Sequence, residues 1–168
     1  MAYEFVPQFS KMLTNLSLIL DKAQAFSEQK KFEIGNLLSA RLAPDQFNFI
    51  RQIQIACDTA KGYVSKLTAK EAPKFEDSEA TLADLQQRIQ RTIEFLGTVE
   101  PEDFTGWEAR KVTNPRREGK YLPANEFLME HAVPNFYFHM TTAYSILRHN
   151  GVDIGKKNYL GELKYRDL

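Results

Sequence analysis

The sequence predicts an all-α fold: a four-helix bundle with long connections and a short β-hairpin before its last helix. Apolar side chains recur at the three-then-four spacing of amphipathic helices over four long segments. Between residues 104 and 123 this pattern gives way to two short runs, WEARKV and KYL, around the turn sequence TNPRREG. No internal repeat or shift in composition divides the chain, so we expect one domain over residues 1–168.

The first two helices are defined by their apolar stripes. The first is predicted over about residues 3–27, and the second begins at Pro44 and Asp45, two residue types that favour a helix start. The predicted stripe of the second helix is Phe47, Ile50, Gln54, Cys57, Lys61 and Val64. Because Gln54 lies on this stripe and Asp58 beside it, we expect polar groups to point into the bundle at mid-helix.

The third helix opens at the sequence TLAD. Thr81 and Asp84 there have the spacing of a capping box, in which each side chain accepts from a free backbone N–H of the other residue. Leucine and isoleucine then recur on one face for about five turns. Gly97 lies where such a helix is expected to end.

The last helix is predicted from about residues 123–125 to Asn150. Pro134 is expected to bend this helix and not to end it, because apolar residues continue on both sides. Arg148 and His149 lie in the last turn, where positive charge opposes the helix dipole. Gly151 supplies the stop.

Composition narrows the partners of the protein. Lysine and arginine number 22, as do aspartate and glutamate, so the formal net charge is zero and no bulk field attracts nucleic acid or an anionic membrane. No apolar run approaches the roughly 18 to 20 residues that span a bilayer. The single Cys57 cannot form an internal disulfide, and the N-terminal sequence lacks a secretory pattern. We expect a cytoplasmic protein that binds neither nucleic acid nor membrane.

Polar side chains share one face of the last helix. Asn135 lies four residues before His139, and Thr142 lies three residues after it. Buried without partners, such groups cost roughly 1 to 3 kcal/mol each. The expected partners are on the second helix: Gln54, Asp58 and Cys57. Together with Asn135, His139 and Thr142, they form the predicted site.

The end of the last helix resembles a known superfamily. The sequence HMTTAYSILRHNG is similar to the closing motif of the DinB-like, or YfiT-like, four-helix bundles, in which a histidine is followed nine residues later by arginine and three further on by glycine. His139, Arg148 and Gly151 match these positions. The longer stretch PNFYFHMTTAYSILRHNGVDIGKKNYLG resembles a branch known only as a domain of unknown function.

The resemblance implies a metal site that this chain matches only in part. Better-understood members of the superfamily hold a divalent metal, such as zinc or nickel, with one histidine on helix two and an H-x-x-x-H pair on helix four. Three neutral imidazoles leave open positions for Lewis-acid chemistry. Here His139 matches the last ligand, Asn135 stands at the preceding position, and the second helix has no histidine. The remaining candidate ligands beside His139 are Asp58 and Cys57.

Three functions are consistent with these residues. The favoured one is a bundle with a degenerate metal site that binds a small molecule or a partner at Gln54, Asp58, Asn135, His139 and Thr142. The second is a divalent-metal-dependent thiol transferase or isomerase that uses zinc or nickel on a small substrate. The third is a structural or stress-response homodimer, since superfamily bundles often pair through helix faces. No catalytic residue is assigned. The same polar cluster could also fix helix register without chemistry.

The remaining candidates have ordinary structural explanations. His131 lies a little over two helical turns from His139, too far to share an ion, and is expected to be a boundary residue. His149 belongs to the helix end. Cys57 on an apolar stripe is expected to be a small core residue, and Trp107 to pack in the core.

Overall fold

Four long helices form the frame of the molecule in the computed structural model, which describes residues 2–167. The helices are α1 Phe5–Lys30, α2 Gly35–Leu38, α3 Phe49–Leu67, α4 Leu82–Leu96, α5 Ala124–Glu126, α6 Val133–His149 and α7 Lys156–Leu160. Short 3₁₀ turns cover Pro101–Phe104 and Trp107–Ala109, a π-helical segment covers Phe127–Ala132, and the strands are β1 Lys111–Thr113 and β2 Tyr121–Pro123. The predicted fold, an all-α bundle with a hairpin before the last helix, is confirmed.

Helix α3 lies between two neighbours, α4 on one side and α6 on the other, while α1 packs mainly against α4. The core that joins them is aromatic at its centre. The Phe9 ring stacks on Phe136 at a centroid distance of 4.1 Å and meets the edge of Tyr63 at 5.5 Å. Since α3 faces two helices, more than one stripe of its surface is buried. Among residues 2–167, no helix is long and apolar enough to cross a membrane.

Helix α3 begins later than the sequence predicts. Its N-cap is Asn48, whose side chain accepts a hydrogen bond from the Arg51 amide at 3.1 Å. This cap satisfies one of the free N–H groups of the first turn. The predicted start at Pro44 and Asp45 is therefore wrong by about four residues, and Phe47, placed on the buried stripe, is exposed.

Helix α4 begins as predicted. The Thr81 hydroxyl accepts from the Asp84 amide at 3.2 Å, and the Asp84 carboxylate accepts from the Thr81 amide at 2.8 Å. These are the two bonds of a capping box. The 68–81 connection that leads to this cap is a stretch without helix or strand, and it lies across α3 and α4.

The hairpin is antiparallel, with Val112 opposite Leu122. The last helical stretch then starts at Ala124 and continues through the π-helical segment into α6. Pro134, in the first turn of α6, does not end the helix. It lacks an N–H for the preceding turn, and the hydrogen-bond register changes from π to α next to it. Gly151 follows α6 with a positive φ of 92°, which a glycine adopts without strain.

Candidate functional site

His139 lies in the interface between α3 and α6, where only 7% of the residue is exposed. Its Nδ1 is 2.7 Å from the side-chain oxygen of Gln52 on α3. The Gln52 amide nitrogen donates to the backbone oxygen of Phe47 at 2.9 Å. Because a carbonyl oxygen can only accept, this second bond fixes the orientation of the Gln52 amide and directs its oxygen to His139.

This orientation sets the tautomer of the imidazole. The Gln52 oxygen needs a donor, so the proton of neutral His139 is on Nδ1 and the Nε2 lone pair is free. Nε2 has no hydrogen-bond partner among residues 2–167. Burial, and next the positive charge of Arg51, lower the pKa of His139 from 6.5 to about 4. The ring is therefore neutral at pH 7, with one basic nitrogen available.

The other two predicted residues of α6, Asn135 and Thr142, both have hydrogen-bond partners. The Asn135 amide donates to the Thr59 hydroxyl of α3 at 2.8 Å, so it joins the same helix pair one turn from His139. The Thr142 hydroxyl donates to the Phe138 backbone oxygen of its own helix at 2.7 Å. The interface thus holds two separate polar pairs, one around His139 and one around Asn135.

The structure corrects the partners predicted for His139 on α3. Gln54 donates to the Glu79 carboxylate at 2.8 Å, and Asp58 accepts from Arg88 on α4 at 2.8 Å. No hydrogen bond joins either residue to His139 in the described part of the chain. The physical reason is the helical angle: Gln52 and Gln54 differ by two residues, or about 200° around the helix axis, so they face opposite neighbours.

Gln54 and Asp58 belong to a second cluster, centred on Arg88, that the sequence analysis missed. The Arg88 side chain is 1% exposed. Its Nη1 lies 2.8 Å from Glu79 and 3.1 Å from Asp77, and its Nη2 lies 2.8 Å from Asp58. Arg88, these three carboxylates and Gln54 form what we call the Arg88 cluster. It holds the 68–81 connection against α3 and α4.

Charges in the Arg88 cluster stabilise one another. Burial alone favours a protonated carboxyl, but hydrogen bonds and charges from the nearby arginines together lower the pKa of Asp77 and of Glu79. The Arg88 guanidinium also lies 5.0 Å above the centroid of the Phe75 ring. Only its Nε, buried, has no partner among the described residues. The cluster is an ion-pair network whose donors are mostly satisfied, as a structural element requires.

Cys57 faces α4 and is fully buried. Burial raises the pKa of its thiol from 9.0 to about 12, against a smaller opposite effect of the Thr92 hydrogen bond. A thiol in this state is not a nucleophile at pH 7, since that role needs the thiolate. The sequence prediction of a small core residue agrees with this position.

The residues in the α3–α6 interface do not fit the metal ion that the resemblance implies. His139 offers one nitrogen of suitable tautomer, but the Gln52 oxygen is bound to His139 Nδ1, and Asn135 is held through its amide nitrogen by Thr59. Asp58 and Cys57 turn towards Arg88 and α4. Over residues 2–167, no three His, Cys, Asp or Glu side chains come together as a metal site. A zinc or nickel site of three protein ligands therefore cannot be assembled here.

Comparison with known proteins places these features in context. A family described as a domain of unknown function (DUF1993) matches residues 2–160. A crystal structure described as a DinB family member protein from Shewanella denitrificans has a TM-score of 0.94 and 55% sequence identity, covering 97% of this chain and 93% of that chain. No curated protein matches the chain. Both matches agree with the resemblance seen in the closing motif.

Proposed function

Since the chain belongs to the DUF1993 family of DinB-like proteins, we propose that it binds a small molecule between α3 and α6 without a resident metal ion. In this proposal His139 Nε2 accepts a hydrogen bond from an O–H, N–H or S–H group of the ligand. Asn135, one turn away in the same interface, contributes to orientation. Gln54 and Asp58 have a structural role instead, because Glu79 and Arg51 engage the Gln54 amide and Arg88 engages Asp58.

The observation that carries the proposal is the pair of hydrogen bonds that links the Phe47 carbonyl, the Gln52 side chain and His139 Nδ1. It holds the imidazole neutral and rigid, with the Nε2 lone pair unused. Nε2 is not among the fully buried polar atoms without a partner in residues 2–167, so this acceptor keeps some contact with solvent and is within reach of a ligand. A ligand that donates to Nε2 satisfies this acceptor.

The alternative is a divalent-metal-dependent thiol transferase or isomerase. One observation favours it: a metal-ligating histidine also donates from one ring nitrogen to a fixed oxygen and binds through the other. The shortage of further ligands counts against it. Metal analysis of tag-free protein separates the two functions, since stoichiometric zinc or nickel that is lost in His139→Leu would support the alternative only.

The proposal is tested by nitrogen-15 NMR of the three histidine rings during titration with small donors: phenol, cysteine and glutathione. We expect at least one of them to shift the Nε2 resonance of His139. His149, exposed at the end of α6, serves as the internal control. If none of these compounds moves His139, and the binding of each is the same in wild type and His139→Leu, the proposed site has no ligand of this class.

Two wider expectations remain predictions. A cytoplasmic location is tested by cell fractionation. The homodimer implied by the superfamily resemblance is tested by light scattering at low concentration, where a mass of 19.4 kDa would mean a monomer.

A further inference from the structure

A cavity distant along α3 from Gln52 lies where the end of α3 meets the β-hairpin and the π-helical segment. We call it the hairpin cavity; its volume is about 480 Å³. Its principal lining residues are Lys66, Arg117, Lys120, Leu122, Phe127 and His131. A smaller cavity of about 150 Å³ adjoins it, with Lys66, Phe127 and His131 in both walls.

The hairpin cavity is lined by three cations, while Asp58, which pairs with Arg88, lies in the wall of the adjoining smaller cavity. Lys66 comes from α3, while Arg117 and Lys120 come from the hairpin turn, so the fold brings together cations from separate segments. None of these three side chains pairs with a carboxylate in residues 2–167, and no aspartate or glutamate lines the hairpin cavity. Glu118 lines only the neighbouring depression at the hairpin tip. Gathered cations repel one another, and an anion bound among them relieves this repulsion.

The charge of Lys66 also acts on the pKa of His131. Burial, and next the charge of Lys66, lower the pKa of His131 below its ordinary 6.5. Burial also lowers the pKa of Lys66. Burial disfavours a charge of either sign in this place, so only the smaller contribution, the charge of Lys66, opposes a further proton and favours a negative group.

The other wall of the cavity is apolar. Val112 and Leu122 are opposite each other in the hairpin, and Leu122 is 38% exposed. The Phe127 ring lies 5.0 Å from Lys66 Nζ and stacks with the His131 ring, at a centroid distance of 5.5 Å and an interplanar angle of 20°. Val112 and Phe127 are largely buried, so Leu122 is the more exposed apolar side chain of this wall. Apolar surface beside cations is a feature of sites for amphipathic ligands.

The local backbone places these two rings. Phe127 and His131 both belong to the π-helical segment, a conformation adopted by well under about 1% of residues. Single π turns inside helices occur frequently at functional sites, because they change the direction of a side chain without ending the helix. Here the segment carries the Phe127–His131 stack to the wall of the cavity.

We propose that the hairpin cavity binds a small organic anion, a carboxylate or phosphate head on an aromatic or aliphatic body. The head lies among Lys66, Arg117 and Lys120, and the body packs on the apolar wall formed by Leu122 and Phe127. This site is separate from the one at His139 and goes beyond the proposed function.

The test uses 1-anilinonaphthalene-8-sulfonate, an aromatic anion whose fluorescence rises in apolar surroundings. We expect one molecule to bind per chain, with affinity that falls as salt is added. Lys66→Met keeps the aliphatic stem and removes the charge, and should weaken binding on the order of tenfold. Arg117→Gln, on the exposed hairpin turn, should weaken it similarly even if Lys66→Met folds poorly.

Matched controls locate the effect. Lys22→Met removes an exposed cation on α1 and should leave the titration unchanged, as should His139→Leu, which separates this proposal from the one above. Binding of the neutral N-phenyl-1-naphthylamine should change less than twofold in Lys66→Met. Benzoate or phenyl phosphate should displace the fluorescent anion, and benzyl alcohol should not. The proposal is overturned if the anion does not bind, if Lys66→Met and Arg117→Gln both bind it like wild type, or if benzyl alcohol displaces it as well as benzoate.

Discussion

Two polar clusters flank α3, and they differ in how accessible their unpaired groups are. On the α4 side, Arg88 is a buried charge whose two terminal nitrogens are both bound to carboxylates. On the α6 side, His139 is a buried neutral ring with one nitrogen bound to Gln52 and the other free. Among residues 2–167, each side of α3 therefore has one ring or guanidinium nitrogen without a partner: the fully buried Arg88 Nε on the α4 side and His139 Nε2 on the α6 side.

This difference between the two clusters is the reason why we propose ligand binding at His139 and a structural role for the Arg88 cluster. An ion cluster fixes geometry, and here it fixes the 68–81 connection, while its one unpaired donor, Arg88 Nε, is buried where a ligand does not reach. A rigid ring with a spare lone pair is suited to recognition, because its orientation is determined before the ligand arrives. The number of polar residues alone would favour the Arg88 cluster as the site, whereas the accessibility of the unused nitrogen favours His139, because Arg88 Nε is fully buried and His139 Nε2 is not.

The largest expected effect comes from removing the central charge of the Arg88 cluster. Arg88→Leu leaves Glu79 with only the Gln54 amide and Asp58 with only Lys61 as side-chain partners, and should lower the free energy of unfolding by about 3 to 5 kcal/mol. Arg91→Leu, one turn on and exposed, loses only a contact with the Phe75 ring at 4.6 Å and should cost about 0.5 to 1 kcal/mol. Urea denaturation measures both. Equal effects would show that the cluster does not anchor the fold.

The next effect separates the two clusters by pH. Folding lowers the pKa of His139 from 6.5 to about 4, so between these values the unfolded chain binds a proton that the folded chain does not. The contribution of neutral His139 to the free energy of unfolding is complete above pH 6.5 and is lost as the pH falls towards 4. Its size is on the order of 3 kcal/mol. The lowered pKa values of Asp77 and Glu79 act in the same direction but below their ordinary values of 3.8 and 4.5.

Urea denaturation between pH 7 and 4 checks this prediction. His139→Gln should flatten the loss of stability in this window, whereas His149→Gln should not. His131, whose pKa is also lowered, contributes in the same direction, so His131→Gln is measured beside them. An unchanged slope in His139→Gln would mean that His139 is not held neutral by folding.

A smaller change tests the fixed tautomer. Gln52→Leu removes the acceptor at Nδ1 of His139 and leaves the Phe47 carbonyl without its donor, and should cost about 1 to 3 kcal/mol. Nitrogen-15 chemical shifts should show Nδ1 protonated and Nε2 free in the wild type, and a mixture of both tautomers in the variant. A wild-type ring already protonated on Nε2 would contradict the orientation assigned to Gln52.

The sequence could predict those parts of the fold that depend on local signals. The Thr81 cap, the hairpin turn and the stop at Gly151 are all decided by a few adjacent residues, and all are present. The start of α3 was predicted too early because Pro44 and Asp45 resemble a helix start, while the Asn48 side chain makes the actual cap.

Of the candidate site, the sequence could predict His139 and Asn135 on the last long helix, and both lie in its interface with α3. A buried polar residue on the last helix is visible from its spacing, but its partner is not, because α3 is buried on two sides and a single stripe does not say which neighbour each position meets. Gln52 and Gln54 look equivalent in the sequence and face different helices. The Arg88 cluster was out of reach for another reason: its carboxylates Asp77 and Glu79 come from a connection without periodicity.

The smallest expected effects distinguish the carboxylates within the Arg88 cluster. The Glu79 side chain is 10% exposed and that of Asp77 is 42% exposed, although both are close to Arg88 Nη1. Solvent screens the exposed pair, so Asp77→Asn should lower the free energy of unfolding by about 0.2 to 1 kcal/mol. Glu79→Gln also loses the charge facing the Gln54 amide in a drier position and should cost more. Urea denaturation at pH 7 ranks the two variants. A larger loss of stability in Asp77→Asn would mean that the exposed ion pair, and not the buried one, holds the 68–81 connection.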